Sequence, residues 1–343
     1  VELLMSHKLG FSGSDMMFSS NNTPDQEYAY ARELGATINL DAFEDIDHLE
    51  RAAGIPEIIS CRYNPGGVFE LGTDIMDNPG EAKFGMTKEQ LFEAFAILKE
   101  KGAKTLAISN VLGSTITREA DNVIYTLAGP EISVASTKAY SSQVLVMYLL
   151  SLYMGAKLGK IEEKDYLKYI SDISLLKKNI VKLISEKEKI HNIAKKIKDI
   201  KNGFYLGRGI DEKIAREGSL KMKEINYIHT EALPAGELKH GSIALIEKGV
   251  LVVAISTNLE MDEKVVSNIK EVKARGAYVI GVCKEGSLVP EVVDDVIQVK
   301  DSGELLTPVL AVVGLQFLAY YTSLEKGFDV DKPRNLAKSV TVE

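Results

Sequence analysis

Positive charge is in short supply in this chain. Its 41 Lys and Arg face 49 Asp and Glu, a net charge of −8 over 343 residues. Such a balance argues against a nucleic-acid binder, because phosphate backbones reward a basic surface. Cysteine is nearly absent: Cys61 and Cys283 stand in unrelated contexts. No disulfide framework is expected, and a reducing cytoplasm is the natural setting. The five histidines (His7, His48, His191, His229 and His240) never fall at metal-ligand spacing with a cysteine, so no metal is expected. Long apolar runs are missing too. Stretches such as ALIEKGVLVVAI are broken by charge well short of the roughly 18 residues a spanning helix needs, and no membrane association is expected. No charged-then-apolar segment opens the chain. Val1 stands where an initiator methionine is expected, which reads as a fragment or a processed product.

What is present is ordinary for a globular protein: 45% apolar and 26% charged residues, in a chain long enough for two or three domains. One pattern recurs. AYARELGATINL, FAILKEKGAKTLAISN and IKEVKARGAYVIGVC each read as helix, glycine, then a short apolar run. A glycine just past a helix takes the left-handed conformation at low cost and stops the helix. The runs TLAIS, YVIGVC and VLVVAI do not alternate, as befits strands buried on both faces of a parallel sheet. Helices alternating with such strands mean α/β architecture. Between about residues 160 and 201 the chain is lysine-rich with apolar residues at helical spacing, which reads as a solvated helical connector. GFYLGRGI then restarts a strand, followed by a glycine turn and a long helix, so a domain boundary is placed near 160–200. That turn offers free backbone N–H groups to an anion, but it lacks the third glycine of a dinucleotide fingerprint.

Candidate chemistry lies beyond that turn. Lys221 and Glu224 are three apart and share a helix face, with Glu231, Glu237 and His240 downstream. The plain reading is a surface ion pair and a loop histidine. GELKHG, however, sets an acid, a base and a histidine between glycines, and loops on rigid α/β scaffolds are where catalytic groups tend to sit. STKAY, residues 136–140, opens another helix with a hydroxyl residue read as its N-cap. The tail DKPRNLAKSVTVE carries turn signals and then an isolated lysine, a pattern that points to docking and to a cation or an imine-forming amine.

Three stretches carry a family resemblance: KEKGAKTLAISNVLGSTITREADNVIYTLAGPEISVASTKAY, FYLGRGIDEKIAREGSLKMKEINYIHTEALPAGELKHGSIALI and DKPRNLAKSVTVE. From about residue 99 to 343 the chain resembles the isomerase domain of the glucosamine-6-phosphate synthases, glutamine-dependent fructose-6-phosphate aminotransferases. The resemblance implies flavodoxin-like sugar-isomerase (SIS) domains and hexosamine synthesis from fructose 6-phosphate. It implies ammonia from a separate glutaminase domain that has no counterpart in these residues. It also assigns roles. Glu224 is similar to the base that moves a proton between C1 and C2, and Lys221 to the cation beside the enol-type intermediate. His240 is similar to the ring-opening acid/base that reaches the site from a neighbouring subunit, which implies a homodimer. Lys338 is similar to the amine that forms an imine with the open-chain ketose, and Val134 and Ser136 lie in the segment whose backbone approaches the sugar. One carboxylate suffices to shuttle a proton between adjacent carbons, and a histidine suits ring opening near neutral pH.

Two departures accompany this resemblance. The family's Ser-Gln-Ser-Gly-Glu-Thr phosphate loop has no match upstream of residue 105, where FSSNNTP and SCRYNPGG are the nearest candidates. MFSSNNTPDQEYAYARELGATINLDAF and ISCRYNPGGVFELGTDIMDNPGEAKFGMTKEQLFEAFAILKEKGAK resemble instead part of the barrel of diaminopimelate and carboxynorspermidine decarboxylases. That family's pyridoxal-phosphate lysine would lie before Val1, so no cofactor is expected. The organisation this implies is a chimera: 1–104 a decarboxylase-like barrel fragment, 105–160 the second half of a first SIS domain, 161–201 the connector, 202–328 a second SIS domain and 329–343 a catalytic tail. The alternatives to a sugar-phosphate aminotransferase/isomerase are a non-catalytic α/β scaffold and a pyridoxal-phosphate decarboxylase.

Overall fold

The computed structural model describes residues 2–8, 13, 16–20, 23–62, 86, 88–102 and 104–336. Two compact units divide between Leu127 and Ala128, inside the segment read as 105–160. The first unit begins with α1 (Glu2–Lys8), β1 (Met17–Ser20), α2 (Asp25–Glu33), β2 (Thr37–Leu40), α3 (Asp45–Ala53) and β3 (Ile59–Cys61). The three strands form a parallel sheet in chain order, β1-β2-β3. Ile38 and Leu40 point into a core that also holds Tyr28, Ile46 and Leu49 from the helices. Ser19, Asn39 and Ser60 lie side by side on the strands and are joined by hydrogen bonds of 2.8–3.0 Å. After α4 (Lys88–Glu100), the strands β4 (Leu106–Ser109) and β5 (Asn122–Tyr125), with α5 (Thr115–Glu119) between them, make a separate parallel pair.

The second unit opens with α6 (Lys138–Lys157), α7 (Glu163–Ser185) and α8 (Lys187–Ile197). There follow β6 (Asn202–Gly207), α9 (Ile210–Asn226), β7 (His229–Pro234), β8 (Leu251–Ser256), α10 (Asp262–Lys273), β9 (Tyr278–Lys284), β10 (Asp295–Val299) and α11 (Thr307–Glu325). Its five-stranded sheet is parallel in the order β10-β9-β8-β6-β7. The winding reverses between β6 and β8, which defines a doubly wound fold. Residues of α8, α9 and α11 cover one face with a cluster that includes Ile193, Ile197, Ala215, Met222, Leu310 and Leu318. Residues of α10 and the 235–246 segment cover the other, with Leu238, Val265, Ile269 and Val272. Every residue of β8 is buried, which is why LVVAIS shows no alternation.

The helix–glycine–strand pattern is realised three times. Gly35, Gly102 and Gly276 follow α2, α4 and α10 with φ of +70°, +89° and +87°. The connector is less solvated than its lysines imply, because Leu176, Leu183, Ile190 and Ile193 are buried in the second unit's core. The expectation that no run is long enough to cross a membrane needs correction. By length and composition α11 is apolar and long enough, but 67% of its apolar window is buried inside the fold, as a core helix requires. The run escapes a reading keyed to charged interruptions because Thr307–Leu324 contains none.

Candidate active site

The turn between β6 and α9 sets the geometry. A Cβ on Gly207 would lie 2.3 Å from the Asp211 carbonyl carbon and oxygen, so only glycine lets the helix start this close to the strand. Asp211, 1% exposed, crosses to the end of β8 and accepts the Thr257 N–H at 2.8 Å and its hydroxyl at 2.5 Å. The start of α9 is thereby fixed, and its face with it.

On that face, at helical spacing i, i+4 and i+7, stand Glu217, Lys221 and Glu224. The Lys221 ammonium is 2.6 Å from Glu224 Oε2 and 3.4 Å from Glu217 Oε1. This is no surface pair, contrary to the plain sequence reading: the side chains are 3% (Lys221), 9% (Glu217) and 22% (Glu224) exposed. The helix faces the unit's own core, so its polar row is carried inside. Burial pushes the Glu217 carboxyl above the usual carboxylate range. Lys221 pulls it back, and the charge of Glu224 adds to the rise. One ammonium thus neutralises two carboxylates incompletely, and Glu224, the most exposed of the three, has a side open to a reacting proton. Glu217 was not singled out from the sequence, although EGSLKMKE carries the spacing that places it there.

Two further segments converge on α9. Ala135, 4% exposed, packs in the same cluster as Met222 and Ile225. Tyr140 has its hydroxyl pKa pushed up by burial and then by the charge of Glu217. Tyr140 is therefore near Glu217, at the start of the charged row. At the other end, the Val134 N–H donates to Asp331 O at 3.1 Å and the Ser133 hydroxyl to Val330 O at 3.1 Å. The end of α9 is sewn to α11: the Ser323 hydroxyl donates to Ile225 O and Lys326 Nζ to Asn226 O, which satisfies carbonyls that a helix end leaves open. Lys221, Glu224, the Val134–Ser136 stretch and the start of the tail are thus brought together. Lys338 lies outside the described residues.

STKAY opens α6, but not as expected. The N-cap is Thr137, whose side chain makes no capping hydrogen bond. Glu131 Oε1 accepts the Thr137 N–H at 2.7 Å instead. The same oxygen accepts the Ala139 N–H at 3.5 Å, so a carboxylate from the preceding loop takes a first-turn donor that an N-cap hydroxyl would otherwise satisfy.

His240 is not brought to this cluster within one chain. It sits exposed in a short 3₁₀ turn, Leu238–His240, beyond the C-terminal end of β7. Glu224 lies near the other end of the strands, because α9 runs back for roughly 20 Å between Ile210 and Glu224. The two also occupy opposite faces: Met222 and Ile225 flank Glu224 in one core cluster, while Leu238 belongs to the other. Glu231 and Glu237 are exposed. Glu231 lines a separate cleft of about 300 Å³ with His229 and Glu247, and Lys221, Glu224 and His240 are not among its lining residues.

A doubly wound unit with a charged row buried on the helix that follows its first strand defines the class of fold and site. The chain matches the SIS domain family at residues 85–153 and 196–325, and it belongs to that family. Among curated proteins it is 96% identical over 245 residues to the glutamine–fructose-6-phosphate aminotransferase (isomerizing) of Fusobacterium nucleatum, covering 71% of this chain and 40% of that protein. The protein of the same description from Caldanaerobacter subterraneus is 53% identical over 255 residues, covering 73% and 42%. The chain therefore spans about two-fifths of the length of the curated relatives it matches. Among solved structures, the C-terminal domain of glucosamine-fructose-6-phosphate aminotransferase from Francisella tularensis aligns with a TM-score of 0.66 at 33% identity, covering 72% of this chain and 70% of that one.

Proposed function

We propose that the chain carries an isomerase site for fructose 6-phosphate and serves hexosamine synthesis. The observation that carries this reading is the buried Glu217–Lys221–Glu224 row beside the Val134–Ser136 stretch and the tail. Glu224 takes a proton from C1 of the open-chain ketose and returns it to C2, and the ketose becomes an aldose with no net gain or loss of atoms. With ammonia, the C2 carbonyl first loses water to form an imine, and the same shift then leaves the nitrogen on C2 of glucosamine 6-phosphate. Lys221 holds the negative charge of the enol-type intermediate. Lys338 is the amine that engages the ketose, and no cofactor takes part. The Val134 and Ser136 backbone approaches the sugar. The separation of His240 from Glu224 supports a homodimer in which the histidine of one copy opens the ring bound by the other. Two unpaired cysteines suit a cytoplasmic setting.

We also retain the division into 1–104, 105–160, 161–201, 202–328 and 329–343. The parallel sheet β1-β2-β3, with α2 and α3 joining successive strands, supports βα winding of the first piece. The missing phosphate loop favours a second reading, a folded but non-catalytic scaffold. Losing several charge-assisted contacts of roughly 1.5–3 kcal/mol each weakens sugar-phosphate binding by orders of magnitude.

The deciding experiment is conversion of fructose 6-phosphate to glucose 6-phosphate, coupled to a dehydrogenase, for this chain and for Glu224→Gln. Turnover that Glu224→Gln abolishes supports the isomerase. A folded protein without turnover at millimolar substrate establishes the scaffold instead.

A further inference from the structure

The stripe of α9 that carries the charged row continues past Glu217 towards the start of the helix. Ile210 and Ile214 precede Glu217 by seven and three residues, so they share its face. There the row gives way to a cavity of about 130 Å³ between α6 and the first turns of α9 and α11. Val144, Ile214, Val309 and Val312 supply aliphatic walls, and the last three are buried. The polar groups are few. Tyr140 and Tyr148 both line the cavity, and among the described residues neither hydroxyl has a hydrogen-bond partner. A tyrosine hydroxyl drawn into the fold usually finds one. Burial raises the pKa of both, so both remain protonated donors at neutral pH. Ser141 has already given its hydroxyl to Thr137 O at 3.4 Å.

We propose that this cavity is a binding site for a small neutral phenol, whose ring lies against the aliphatic walls and whose hydroxyl meets those of Tyr140 and Tyr148. Size, polarity and charge each narrow the class. An apolar cavity of about 150 Å³ takes one benzene ring, so a single ring is the occupant that fits here. Walls of valine and isoleucine offer nothing to the many hydroxyls of a sugar, which would lose their water without replacement. An anion is disfavoured too. The one ammonium at the cavity, Lys213, is already taken by Glu212 at 2.7 Å, and the charge of Glu217 already acts on Tyr140. The inference is independent of the isomerase reading, because Ile214 and Glu224 are ten residues apart on one helix, roughly 15 Å. The occupant nonetheless lies one helical turn from Glu217, where the buried row begins.

The test titrates the full chain with 4-fluorophenol, fluorobenzene and 4-fluorobenzoate, followed by fluorine NMR. 4-Fluorophenol should saturate one site with a dissociation constant of about 1 mM, roughly fivefold tighter than fluorobenzene, and 4-fluorobenzoate should not saturate. Val144→Phe fills the cavity from α6, where the side chain is only partly buried and the packing can yield. It should weaken both neutral probes by roughly tenfold or more. Tyr148→Phe keeps the ring and removes one donor. It should abolish most of the preference for 4-fluorophenol and leave fluorobenzene within roughly twofold of wild type. No saturable binding of 4-fluorophenol up to about 20 mM overturns the proposal. Binding that neither variant weakens puts the probe elsewhere and overturns it as well. Weakening by Val144→Phe alone overturns the hydroxyl contacts and with them the phenol class, and benzoate binding as tight as phenol overturns the neutral class. If Val144→Phe fails to fold, the comparison of the two neutral probes on Tyr148→Phe decides by itself.

Discussion

Replacing Lys221 with methionine tests the charge balance of the site most directly. The ammonium is 3% exposed and lies 2.6 and 3.4 Å from the two carboxylates. Methionine fills much of the same volume and leaves Glu217 and Glu224 facing each other without a cation. Removing one partner of a buried ion pair costs about 3–5 kcal/mol, because the remaining charge is uncompensated. The pH dependence has a definite sign. Burial already holds the Glu217 carboxyl above its unfolded value, with Lys221 opposing the rise. Without Lys221 it rises further. An acid whose folded pKa is raised favours the protonated native state, so its stability is fully present below the unfolded pKa near 4.5 and is lost as pH climbs through the folded value. The deficit of Lys221→Met should therefore be largest at pH 8 and shrink towards pH 5. Adding Glu217→Gln should recover much of it at pH 8. The assay is amide hydrogen exchange in α9, where 3–5 kcal/mol appears as exchange roughly a hundredfold to several thousandfold faster. A pH-independent loss below about 1 kcal/mol would falsify the reasoning, since that is the behaviour of a solvated surface pair.

Three other expectations follow from local geometry. Gly207→Ala puts a methyl 2.3 Å from backbone atoms of Asp211, which cannot yield without unwinding the start of α9. A loss above about 3 kcal/mol is expected, seen as poor soluble yield and unprotected amides in β6 and α9, and a well-folded alanine variant would refute it. Burial pushes Cys61 and Cys283 up to about 11, so at pH 8 roughly one thiol in a thousand is ionised. A disulfide-exchange reagent should label the native protein slowly, faster as pH approaches 11, and reach two thiols promptly only in denaturant. Glu131→Ala removes the acceptor for the Thr137 N–H and should cost α6 about 1 kcal/mol at its first turn, read as faster exchange of the first α6 amides.

Much of the fold was legible in both units because backbone constraint and residue choice coincide at the helix ends. A glycine after an amphipathic helix admits few readings, and Gly35, Gly102 and Gly276 all take the left-handed conformation that the pattern implies. Continuous apolar runs likewise mark strands covered on both faces, as β8 is. Legibility failed where a side chain's partner is distant in sequence. STKAY looks self-capping because serine and threonine usually are, yet the acceptor comes from Glu131, six residues before Thr137. α11 was overlooked because an uncharged core helix is chemically similar to an apolar loop-to-strand run until its neighbours are known. The lysines of the connector, too, reveal its outer face but not Leu176 and Ile190 beneath.

The site was half legible, for a related reason. Lys221 and Glu224 could be paired from their spacing alone, but their burial could not, since helix spacing states which residues share a face and not what the face meets. The same spacing extended by one turn yields Glu217, which matters only once the face is known to be inside: a third charge on a solvated face changes little, whereas inside it leaves one ammonium to compensate two carboxylates. His240 shows the converse. In sequence it is sixteen residues from Glu224, close enough to invite one site. Topology sends the chain back along α9 and out again along β7 between them, so this short separation becomes opposite ends of the sheet. A parallel sheet cannot bring a strand's two ends together, so folding within one chain leaves His240 and Glu224 apart however short the sequence between them.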